Sequence, residues 1–477
     1  MMKIDQFYIN GQWTQPHGTN VLELINPSNE DVVGVLSLGN QEDVNEAVKA
    51  ARNAFLSYSN STVEYRINLL ENILNIYKEK MDEFAELIRI EMGSPITFSK
   101  NAQALRGVVH LEAAILALKN FNFQKCTNTG FILHEPIGVC GLITPWNWPI
   151  NQIMVKVAPA LATGCTVVLK PSEYSSLSTQ LFAQVLHEAG VPHGVFNLVY
   201  GDYEVGEAIS LHPDIDMISF TGSTQAGIKV AQNAALTVKR VAQELGGKSP
   251  NIVLDDVDFD TVITLAVAAC FTNSGQSCSI PTRLLVPQSQ LKHVETIAIK
   301  AAQSYVVGDT SNELTTLGPL VNLKQYERVQ SLIQTAINEG ATLIHGGLGK
   351  PEGLEKGYFV KPTIFSDVHS KMIIAQEEIF GPVLVILPYF SESEAIDIAN
   401  DSPYGLASYI QSNDENRAFE IAKRIRAGNV QINYPPPDFN APFGGYKQSG
   451  NGREWGEYGL HEYLEIKAVI KRNGVCK

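Results

Sequence analysis

A cysteine in a small polar loop is the residue of this chain with the most direct chemical potential. Cys278 closes the run Phe271-Thr-Asn-Ser-Gly-Gln-Ser-Cys278, and another serine follows it. A Gly-Gln turn among small residues lets the backbone expose a thiol and offer its own N–H groups, which lowers a thiol pKa. Thiolates attack carbonyl carbons readily. The run therefore predicts a nucleophile, although a lone cysteine in such a loop is more often inert.

A glutamate beside two glycines is the second candidate. Glu244 lies in the run Gln243-Glu-Leu-Gly-Gly-Lys-Ser-Pro250. Glycines permit other groups to approach the backbone closely, and a carboxylate next to a covalent intermediate can act as the general base for water. Taken alone, the run is more often a surface turn.

A rigid aromatic segment supplies a third candidate. The run Thr144-Pro-Trp-Asn-Trp-Pro149 fixes Asn147 between two tryptophans and two prolines. An immobilised side-chain amide is a suitable hydrogen-bond donor to a developing oxyanion. An aromatic corner without a chemical role accounts for the same residues equally well.

Two turns from strand to helix have features of a dinucleotide site. Lys170-Pro-Ser-Glu173 follows the β-rich run TVVLK, and Phe220-Thr-Gly222-Ser223-Thr-Gln-Ala-Gly227 follows MISF. Such turns present backbone N–H groups to a pyrophosphate. A lysine and a glutamate on one turn can bind the two hydroxyls of a ribose, and the glutamate disfavours a 2′-phosphate. The spacing of Gly222 and Gly227 departs from the GxGxxG fingerprint and is a weak signal by itself.

The elements that must position these residues alternate between strand and helix. From Cys165 to Asp256, and again from Asp258 to about Val430, short β-rich runs alternate with helical patterns such as Ser178 to Ala189. That alternation favours βαβ units and parallel sheets, in two successive α/β domains.

Helical and strand patterns also mark the two ends of the chain. Gln41 to Tyr58 is an Ala-rich helical block, and Glu64 to Met92 has one continuous apolar face at helical period. His461 to Lys471 alternates apolar and charged residues, which predicts a terminal edge strand. The edge strand pairs either with another subunit or within its own domain.

Composition limits the function classes. The chain has 477 residues, a formal net charge of −14 and a sequence pI near 5.2. So acidic a surface disfavours nucleic acid and anionic lipid as partners. The six cysteines are scattered, show no metal-ligand spacing and are expected to be reduced. The N-terminus lacks the apolar core of a signal peptide, and the most apolar stretch, Ile153 to Leu169, contains a lysine, a proline and a glycine. We expect a cytoplasmic protein without a membrane span or a metal.

The five motifs together, in this order, resemble the aldehyde dehydrogenase superfamily, in particular its hydrolytic, NAD(P)-dependent members. The resemblance extends from about residue 10 to about residue 470. Three further runs share it: Gln376-Glu-Glu-Ile-Phe-Gly-Pro382, Gly428-Asn-Val-Gln-Ile-Asn433 and Pro442-Phe-Gly-Gly-Tyr-Lys-Gln-Ser-Gly-Asn-Gly-Arg-Glu454.

The resemblance implies an α/β fold of three parts. A Rossmann-like cofactor domain would comprise residues 1–118 and 137–245, and an α/β catalytic domain residues 246–445. Residues 119–136 and 460–477 would form a small β arm for oligomerisation, in a homodimer or homotetramer.

The resemblance also implies residue roles. Cys278 would attack the aldehyde, the Asn147 side chain and the Cys278 backbone N–H would hold the oxyanion, and Glu244 would activate water. Lys156 is implied as a catalytic residue, on a possible proton path that it shares with Glu465. The implied cofactor is NAD, with NADP possible, and its implied binding residues are Trp146, Lys170, Glu173, Gly222, Ser223, Glu378 and Phe380. The product would be a carboxylic acid, in the general class EC 1.2.1.3.

Rival activities and the substrate are less constrained by the sequence. Acyl transfer to coenzyme A is disfavoured because Glu244 is present, and a cofactor-free thiol hydrolase because Lys170 and Glu173 are present. A non-catalytic scaffold would be expected to lack Cys278 or Glu244. At the expected substrate entrance, the rings of Trp148 and Phe439 favour an apolar chain, and Asp438 is expected to repel a carboxylate. None of these residues names an aldehyde.

Overall fold

The computed structural model describes residues 1–472. The last five residues of the predicted arm, 473–477, lie outside the described residues.

Strands and helices alternate through most of the described chain. The strands are β1 Met2–Ile4, β2 Phe7–Ile9, β3 Gln12–Thr14, β4 Val21–Ile25, β5 Val32–Ser37, β6 Gln124–Thr127, β7 Gly130–Pro136, β8 Val139–Ile143, β9 Thr166–Lys170, β10 Phe196–Leu198, β11 Met217–Thr221, β12 Arg240–Glu244, β13 Pro250–Val253, β14 Arg283–Pro287, β15 Thr342–His345, β16 Thr363–Ser366, β17 Val383–Tyr389, β18 Ala407–Gln411, β19 Asn429–Ile432, β20 Gly450–Asn451 and β21 Leu464–Ile470. The helices are α1 Gln41–Tyr58, α2 Val63–Glu79, α3 Met81–Met92, α4 Ile96–Phe98, α5 Leu105–Asn120, α6 Pro149–Thr163, α7 Ser176–Glu188, α8 Tyr203–Leu211, α9 Thr224–Ala234, α10 Phe259–Phe271, α11 Leu291–Gln303, α12 Leu323–Asn338, α13 Ile373–Gln376, α14 Glu392–Asn400, α15 Glu415–Ala422 and α16 Gly456–Glu462.

The first large sheet brings four of the sequence motifs to one edge. Within residues 1–472 it has eight strands in the order β20-β12-β11-β8-β9-β10-β2-β3, and β12 through β10 are parallel. The chain runs outward from β8 to β10 and then crosses to β11 on the other side of β8. Ligands of open α/β sheets bind at such a reversal, outside the carboxyl ends of the strands. The motifs of Asn147, Lys170, Gly222 and Glu244 all begin at or just beyond those carboxyl ends.

The second large sheet is buried on both faces. Its order is β15-β16-β17-β14-β13-β18-β19, and every pair except β15 with β16 is parallel. On β14, Leu285 packs into one apolar cluster, whereas Leu284 and Val286 pack into another on the opposite face. Parallel strands covered on both faces read as continuous apolar runs, as RLLVP does. The mixed α/β architecture with parallel sheets confirms the predicted fold class; the domain boundaries stay a prediction.

A third, antiparallel sheet contains the predicted terminal strand. Its order is β21-β7-β6, and β21 pairs with β7 along its whole length, from Leu464 opposite Pro136 to Ile470 opposite Gly130. The other edge of β21 pairs with no strand in the described chain, and the side chains of Ile466 and Ile470 are exposed on it. Cys126, on β6, is disulfide-bonded, so the expectation of reduced cysteines is wrong for this residue.

One helical prediction was wrong in its extent. The block Glu64 to Met92 forms two helices, α2 and α3, that meet at Lys80, whose backbone angles (φ −105°, ψ 10°) leave the helical region. The apolar period continues across this break because both helices pack apolar residues into the same core. Helical periodicity in a sequence does not show where one helix ends and the next begins in a new direction. Among residues 1–472 no helix has the combination of length and apolarity that would let it cross a bilayer.

Candidate active site

The loop of Cys278 begins with a backbone that most residues avoid. Directly after α10, Asn273, Ser274 and Gly275 all have positive φ angles, of 54°, 56° and 76°. An ideal Cβ on Gly275 would lie 2.0 Å from the carbonyl oxygen of Gly381, so only glycine fits there. Consecutive left-handed residues are strained and persist only where the surroundings hold them.

A network of buried amide side chains holds this loop. Gln276 accepts a hydrogen bond at Oε1 from the Val321 N–H (3.0 Å) and donates from Nε2 to the Asn273 carbonyl oxygen (3.2 Å). Asn273 in turn donates to the Asn147 carbonyl oxygen (2.8 Å), to which Gln103 also donates (3.1 Å). The loop before the cysteine is therefore tied to the aromatic segment that follows β8.

The predicted oxyanion donor is part of that network. Asn147 is buried, and its Nδ2 donates to the carbonyl oxygen of Gln276 at 3.0 Å. This one bond leaves a second N–H on the same nitrogen. Asn147 does not line the cavity described next. Its side chain is bonded to the loop of Cys278 at Gln276, two residues before the cysteine. Its role as oxyanion donor stays a prediction.

A cavity of about 360 Å³ joins the cysteine to the expected base. Cys278, Glu244 and Glu454 lie on its wall, with Thr221 from the end of β11. Its other walls come from α5, α6 and the loops around β18, β19 and α16, and include Phe98, Ala102, Arg106, Trp148, Asn151, Gln152, Tyr409, Tyr434, Phe439, Phe443 and Trp455. Mixed apolar and polar walls of this kind are typical of a small-molecule site.

The electrostatics of Cys278 differ from the sequence expectation. Burial raises the pKa of the Cys278 thiol above its ordinary value, and the carboxylates of Glu378 and Glu244 raise it further. The backbone N–H of Cys278 lowers this pKa, as the sequence suggested, but it is outweighed. The thiol must therefore give up its proton to a base when it attacks.

Glu244 is buried without hydrogen-bond partners. It is the last residue of β12, it is 4% exposed, and neither carboxylate oxygen has a partner in the described chain. Burial raises the pKa of Glu244 well above its usual range, Glu454 raises it further, and Lys156 opposes the shift. An unpaired buried carboxyl is costly, and such groups concentrate at functional sites.

Lys156 and Glu454 form a buried ion pair beside Glu244. The ammonium of Lys156, on α6, is completely buried and lies 2.5 Å from a carboxylate oxygen of Glu454. The expectation that Glu465 shares a proton path with Lys156 was wrong. Glu465 lies exposed on β21 and pairs with Arg240 at 2.8 Å. Strand β21 follows α16 away from the cavity, whereas the run that ends at Glu454 adjoins Glu244 through β20, which pairs with β12.

Glu378, from the segment after α13, is a further carboxyl close to Cys278. Its Oε1 accepts a hydrogen bond from the Gly247 N–H (2.9 Å), and an ideal Cβ on Gly246 would lie 2.7 Å from its Oε2. Burial raises the pKa of Glu378 to about 7. Phe380, with a positive φ of 63°, places its ring edge-on to Trp146 at 5.5 Å between centroids. The structure thus brings Trp146 and Phe380 together, in the same segment as Glu378.

The remaining predicted cofactor residues lie at the ends of β9 and β11. Lys170 is buried; its ammonium donates to the Pro171 carbonyl oxygen (3.0 Å) and lies 3.8 Å from the Glu173 carboxylate. Ser223 caps α9 by accepting a hydrogen bond from the Ala226 N–H, and its side chain is exposed. Gly222 precedes it and donates its N–H to the Glu244 carbonyl oxygen at 3.1 Å. The two turns and β12 therefore meet at the edge of the first sheet.

Sequence reasoning missed several residues of this site. The sequence assigns no role to Glu454, which ends the run Pro442 to Glu454, because nothing local to that run indicates a buried partner. Gln276 and Gln103 hold the cysteine loop through buried amides, and only the position of Gln276, two residues before Cys278, could have drawn attention to it. Arg106 lines the cavity, from a helix whose sequence reads as an ordinary amphipathic element.

The comparisons with known proteins agree with one another. The sequence model described as the Aldehyde dehydrogenase family matches residues 13–469. The chain is 53% identical to a 3-succinoylsemialdehyde-pyridine dehydrogenase from a Pseudomonas species, over 98% of this chain and 99% of that protein.

Two solved structures are similar to the whole chain. One is a cysteine-to-alanine mutant of Aldehyde Dehydrogenase C from Pseudomonas syringae in complex with NAD+ and octanal, with a TM-score of 0.97, 50% identity and coverage of 98% and 96%. The other is a Mycobacterium tuberculosis aldehyde dehydrogenase in complex with NAD+, with a TM-score of 0.97, 38% identity and full coverage of both chains.

Proposed function

The chain belongs to the aldehyde dehydrogenase family, and from that premise we propose which of its residues oxidise an aldehyde to a carboxylic acid. Cys278 is the nucleophile, Glu244 is the general base for hydrolysis, and Asn147 with the Cys278 backbone N–H stabilises the oxyanion. The observation that carries this proposal is the shared cavity, which Cys278 and Glu244 both line although they come from separate elements, and the Glu244 carboxyl has no hydrogen-bond partner among residues 1–472.

The first half of the reaction takes place on the sulfur of Cys278. As the sulfur bonds to the aldehyde carbon, the thiol proton passes to a base in the cavity and the carbonyl oxygen becomes an oxyanion. Two N–H donors fixed in advance can stabilise that charge without reorganisation. The hydride of the former aldehyde carbon would leave to a nicotinamide held near Trp146, Glu378 and Phe380, and the carbon would remain on Cys278 as a thioester.

The second half needs an activated water molecule. Water attacks the thioester carbon, its proton passes to Glu244, and the Cys278 sulfur departs as the carboxylic acid forms. The pair of Lys156 and Glu454 lies beside Glu244, where Lys156 favours the ionised carboxylate that a base requires. We propose Lys156 as a positioning residue that tunes Glu244 through charge.

The cofactor is NAD, and the residues at the end of β9 fit it. Within the part of the chain that the structure describes, the buried ammonium of Lys170 has one backbone acceptor, and the Glu173 carboxylate lies 3.8 Å from it. The remaining N–H donors of Lys170 and the carboxylate acceptor of Glu173 are therefore adjacent and suit two ribose hydroxyls. Gly222 and Ser223 at the start of α9 are suited to a pyrophosphate, and Trp146, Glu378 and Phe380 to the nicotinamide half. The relatives solved with NAD+ support this assignment.

The same turn predicts the choice between NAD and NADP. The Glu173 carboxylate can accept hydrogen bonds from a 2′-hydroxyl and should repel a 2′-phosphate, so we expect kcat/KM to be higher with NAD. Glu173→Gln should narrow that preference. A native enzyme that favours NADP would contradict this assignment of Glu173.

The finer enzyme class is also a proposal. We propose a general NAD-dependent aldehyde dehydrogenase, EC 1.2.1.3. The octanal complex of the P. syringae relative shows that a protein 50% identical to this chain binds a long alkyl aldehyde. Acyl transfer to coenzyme A is the rival; it predicts no steady turnover until coenzyme A is added.

The open edge of β21 supports an oligomer. No strand among residues 1–472 pairs with this edge, and Ile466 and Ile470 of the same strand have exposed side chains, so another strand or subunit could cover the surface that they form. We propose a homodimer or homotetramer, and light scattering that shows only monomer at micromolar concentration would contradict it. A cytoplasmic location stays a prediction, which cell fractionation tests.

The test of the activity uses NADH absorbance with a panel of aldehydes. The wild-type protein should form NADH and carboxylic acid, and Cys278→Ala should form neither while it still binds NAD. Cys270→Ala is the matched control, because it removes a buried thiol of α10 that does not line the cavity. Activity of Cys278→Ala above a few per cent of wild type would refute the covalent mechanism.

A further inference from the structure

Arg106 places a cation on the wall of the substrate cavity. It lies in the first turn of α5, directly after the π-helical segment Ser99–Ala104. Phe98, Ala102 and Arg106 recur at four-residue steps and line the same cavity as Cys278. π-Helical turns are rare in proteins, and many of those that do occur lie at functional sites.

The guanidinium of Arg106 has no acceptor in the described chain. It lies 4.8 Å from the ring centroid of Phe439 and 5.7 Å from that of Trp148, which stabilise a cation but accept no hydrogen bonds in its plane. No ion pair or hydrogen bond joins it to any of residues 1–472. Arg283 shows the contrast: this fully buried arginine donates to the carbonyl oxygens of Lys248, Ile398 and Ala399.

The neighbouring groups leave the charge of Arg106 uncompensated. Arg106 is the only cation among the described cavity-lining residues; the two carboxyl groups there are Glu244 and Glu454. Glu454 is paired with Lys156, and burial raises the pKa of Glu244 and so favours its neutral form. His110, one turn further along α5, is held neutral because burial lowers its pKa to about 4.

The expected obstacle to an anionic substrate is absent from the cavity wall. Asp438 is exposed, does not line the cavity, and its Oδ1 accepts a hydrogen bond from the Asn440 N–H at 2.9 Å. Pro437 and Phe439, on either side of Asp438, do line the cavity, and the expectation that Asp438 repels a carboxylate at the mouth stays a prediction. The carboxylate bends back onto its own loop.

We propose that Arg106 determines substrate specificity by binding a carboxylate at the end of the substrate opposite the aldehyde group. A guanidinium presents a planar fork of N–H donors that matches a carboxylate with two parallel hydrogen bonds. The rings of Trp148 and Phe439 would pack along the intervening carbon chain. This inference rests on the proposed oxidation at Cys278 and narrows its substrates to aldehydes that carry a distal carboxylate.

The experiment compares two aldehyde series of matched length. One series runs from succinic semialdehyde through longer ω-carboxy aldehydes, and the other consists of the corresponding alkyl aldehydes. In the wild-type enzyme, kcat/KM should be higher for one or more ω-carboxy aldehydes than for their alkyl counterparts. In Arg106→Leu it should fall by about 10- to 100-fold for the preferred ω-carboxy aldehyde, mainly through KM, and be retained for the alkyl aldehyde.

Two further variants separate binding from structure. Lys100→Leu removes a positive charge from the π-helical segment that precedes α5, but the Lys100 side chain is exposed and pairs with Asp82, so this variant should leave both series unchanged. Arg106→Lys keeps the charge without the fork and should recover only part of the loss.

The outcomes distinguish this inference from the proposed function. A wild-type enzyme that prefers alkyl aldehydes at every length, or an Arg106→Leu variant that loses both series equally, overturns the role of Arg106 while the oxidation stands. Failure to oxidise any aldehyde in either series overturns the proposed function itself.

Discussion

The exchange Glu244→Gln gives the most direct test of how the acyl group leaves Cys278. The variant keeps the size of the side chain but cannot accept a proton from water. Because neither native carboxylate oxygen has a hydrogen-bond partner within residues 1–472, the exchange breaks no hydrogen bond there. We expect about one NADH per active site in a first burst, followed by a stalled acyl-enzyme.

The size of the effect follows from the role. A positioned general base contributes about 10²- to 10⁴-fold to a rate, which corresponds to roughly 3 to 5 kcal/mol of activation free energy at 1.36 kcal/mol per factor of ten. Steady turnover should therefore fall by at least about 10²-fold, while the burst amplitude is preserved.

The dependence on pH provides an independent check. Burial and Glu454 raise the pKa of Glu244, and only the ionised carboxylate can take a proton. Hydrolysis in the wild-type enzyme should therefore accelerate as the pH rises, and its NADH burst should shrink as hydrolysis overtakes acylation. In Glu244→Gln the burst should stay near one per site across the same range.

Rapid-quench kinetics with mass spectrometry of the intact protein would measure both the burst and the acyl adduct. Glu462→Gln controls for the loss of a nearby carboxyl, since Glu462 is half-buried, has a raised pKa and itself raises the pKa of Glu244, but does not line the cavity; this variant should form no lasting acyl adduct. Steady turnover at the wild-type rate in Glu244→Gln, without an adduct on the protein, would refute the assignment of the base.

Three further exchanges test the supporting structure. Lys156→Met leaves the buried carboxylate of Glu454 without a counterion, so the free energy of unfolding measured by denaturant titration should fall by about 3 kcal/mol or more. A decrease of less than about 1 kcal/mol would show that the pair is not buried in solution. Asn147→Ala removes the side-chain oxyanion donor and should lower kcat by about 10²- to 10³-fold in the NADH assay with NAD binding intact; an unchanged kcat would assign the oxyanion to other donors. Gly275→Ala adds a Cβ 2.0 Å from a carbonyl oxygen and should abolish activity. Gly190→Ala, at a similar positive φ (77°) but in open space, should lower the free energy of unfolding by only about 1 kcal/mol. Equal activity of the two variants would contradict the close packing of the Cys278 loop.

The fold and the chemical centre were largely accessible from sequence, because local patterns specify them. The runs TVVLK, MISF and RLLVP form strands β9, β11 and β14, since short, continuously apolar, β-rich runs are typical of strands buried in a parallel sheet. The turns that follow β8, β9 and β11 then meet at one sheet edge because parallel strands align their carboxyl ends. Helix α1 begins and ends where the sequence indicated, with Asn40 as its cap.

What escaped prediction depends on distant parts of the chain. The loop suggested a lowered pKa for Cys278, but burial raises this pKa, and the carboxylates of Glu378 and Glu244, which only the fold brings near, raise it further. Glu465 was expected beside Lys156, and Glu454 was not considered, because only the pairing of β20 with β12 brings the run that ends at Glu454 next to Glu244. The sequence around Arg106 does not indicate that its guanidinium lacks hydrogen-bond acceptors, because that depends on which groups the distant loops place near it.

The pairing of Lys156 with Glu454 has a consequence for the synthesis of this chain on the ribosome. The two residues are 298 positions apart, so Lys156 is translated and packed into α6 long before its counterion exists. Until the final stretch emerges, the nascent protein has an uncompensated ammonium in its core and an incomplete β12 edge that Gly450 and Asn451 later cover. Long-range contacts of this kind form slowly and leave intermediates prone to aggregation. A chain released before residue 454 would contain the thiol of Cys278 but not the charge balance around it, and it would be a natural substrate for chaperones and proteases.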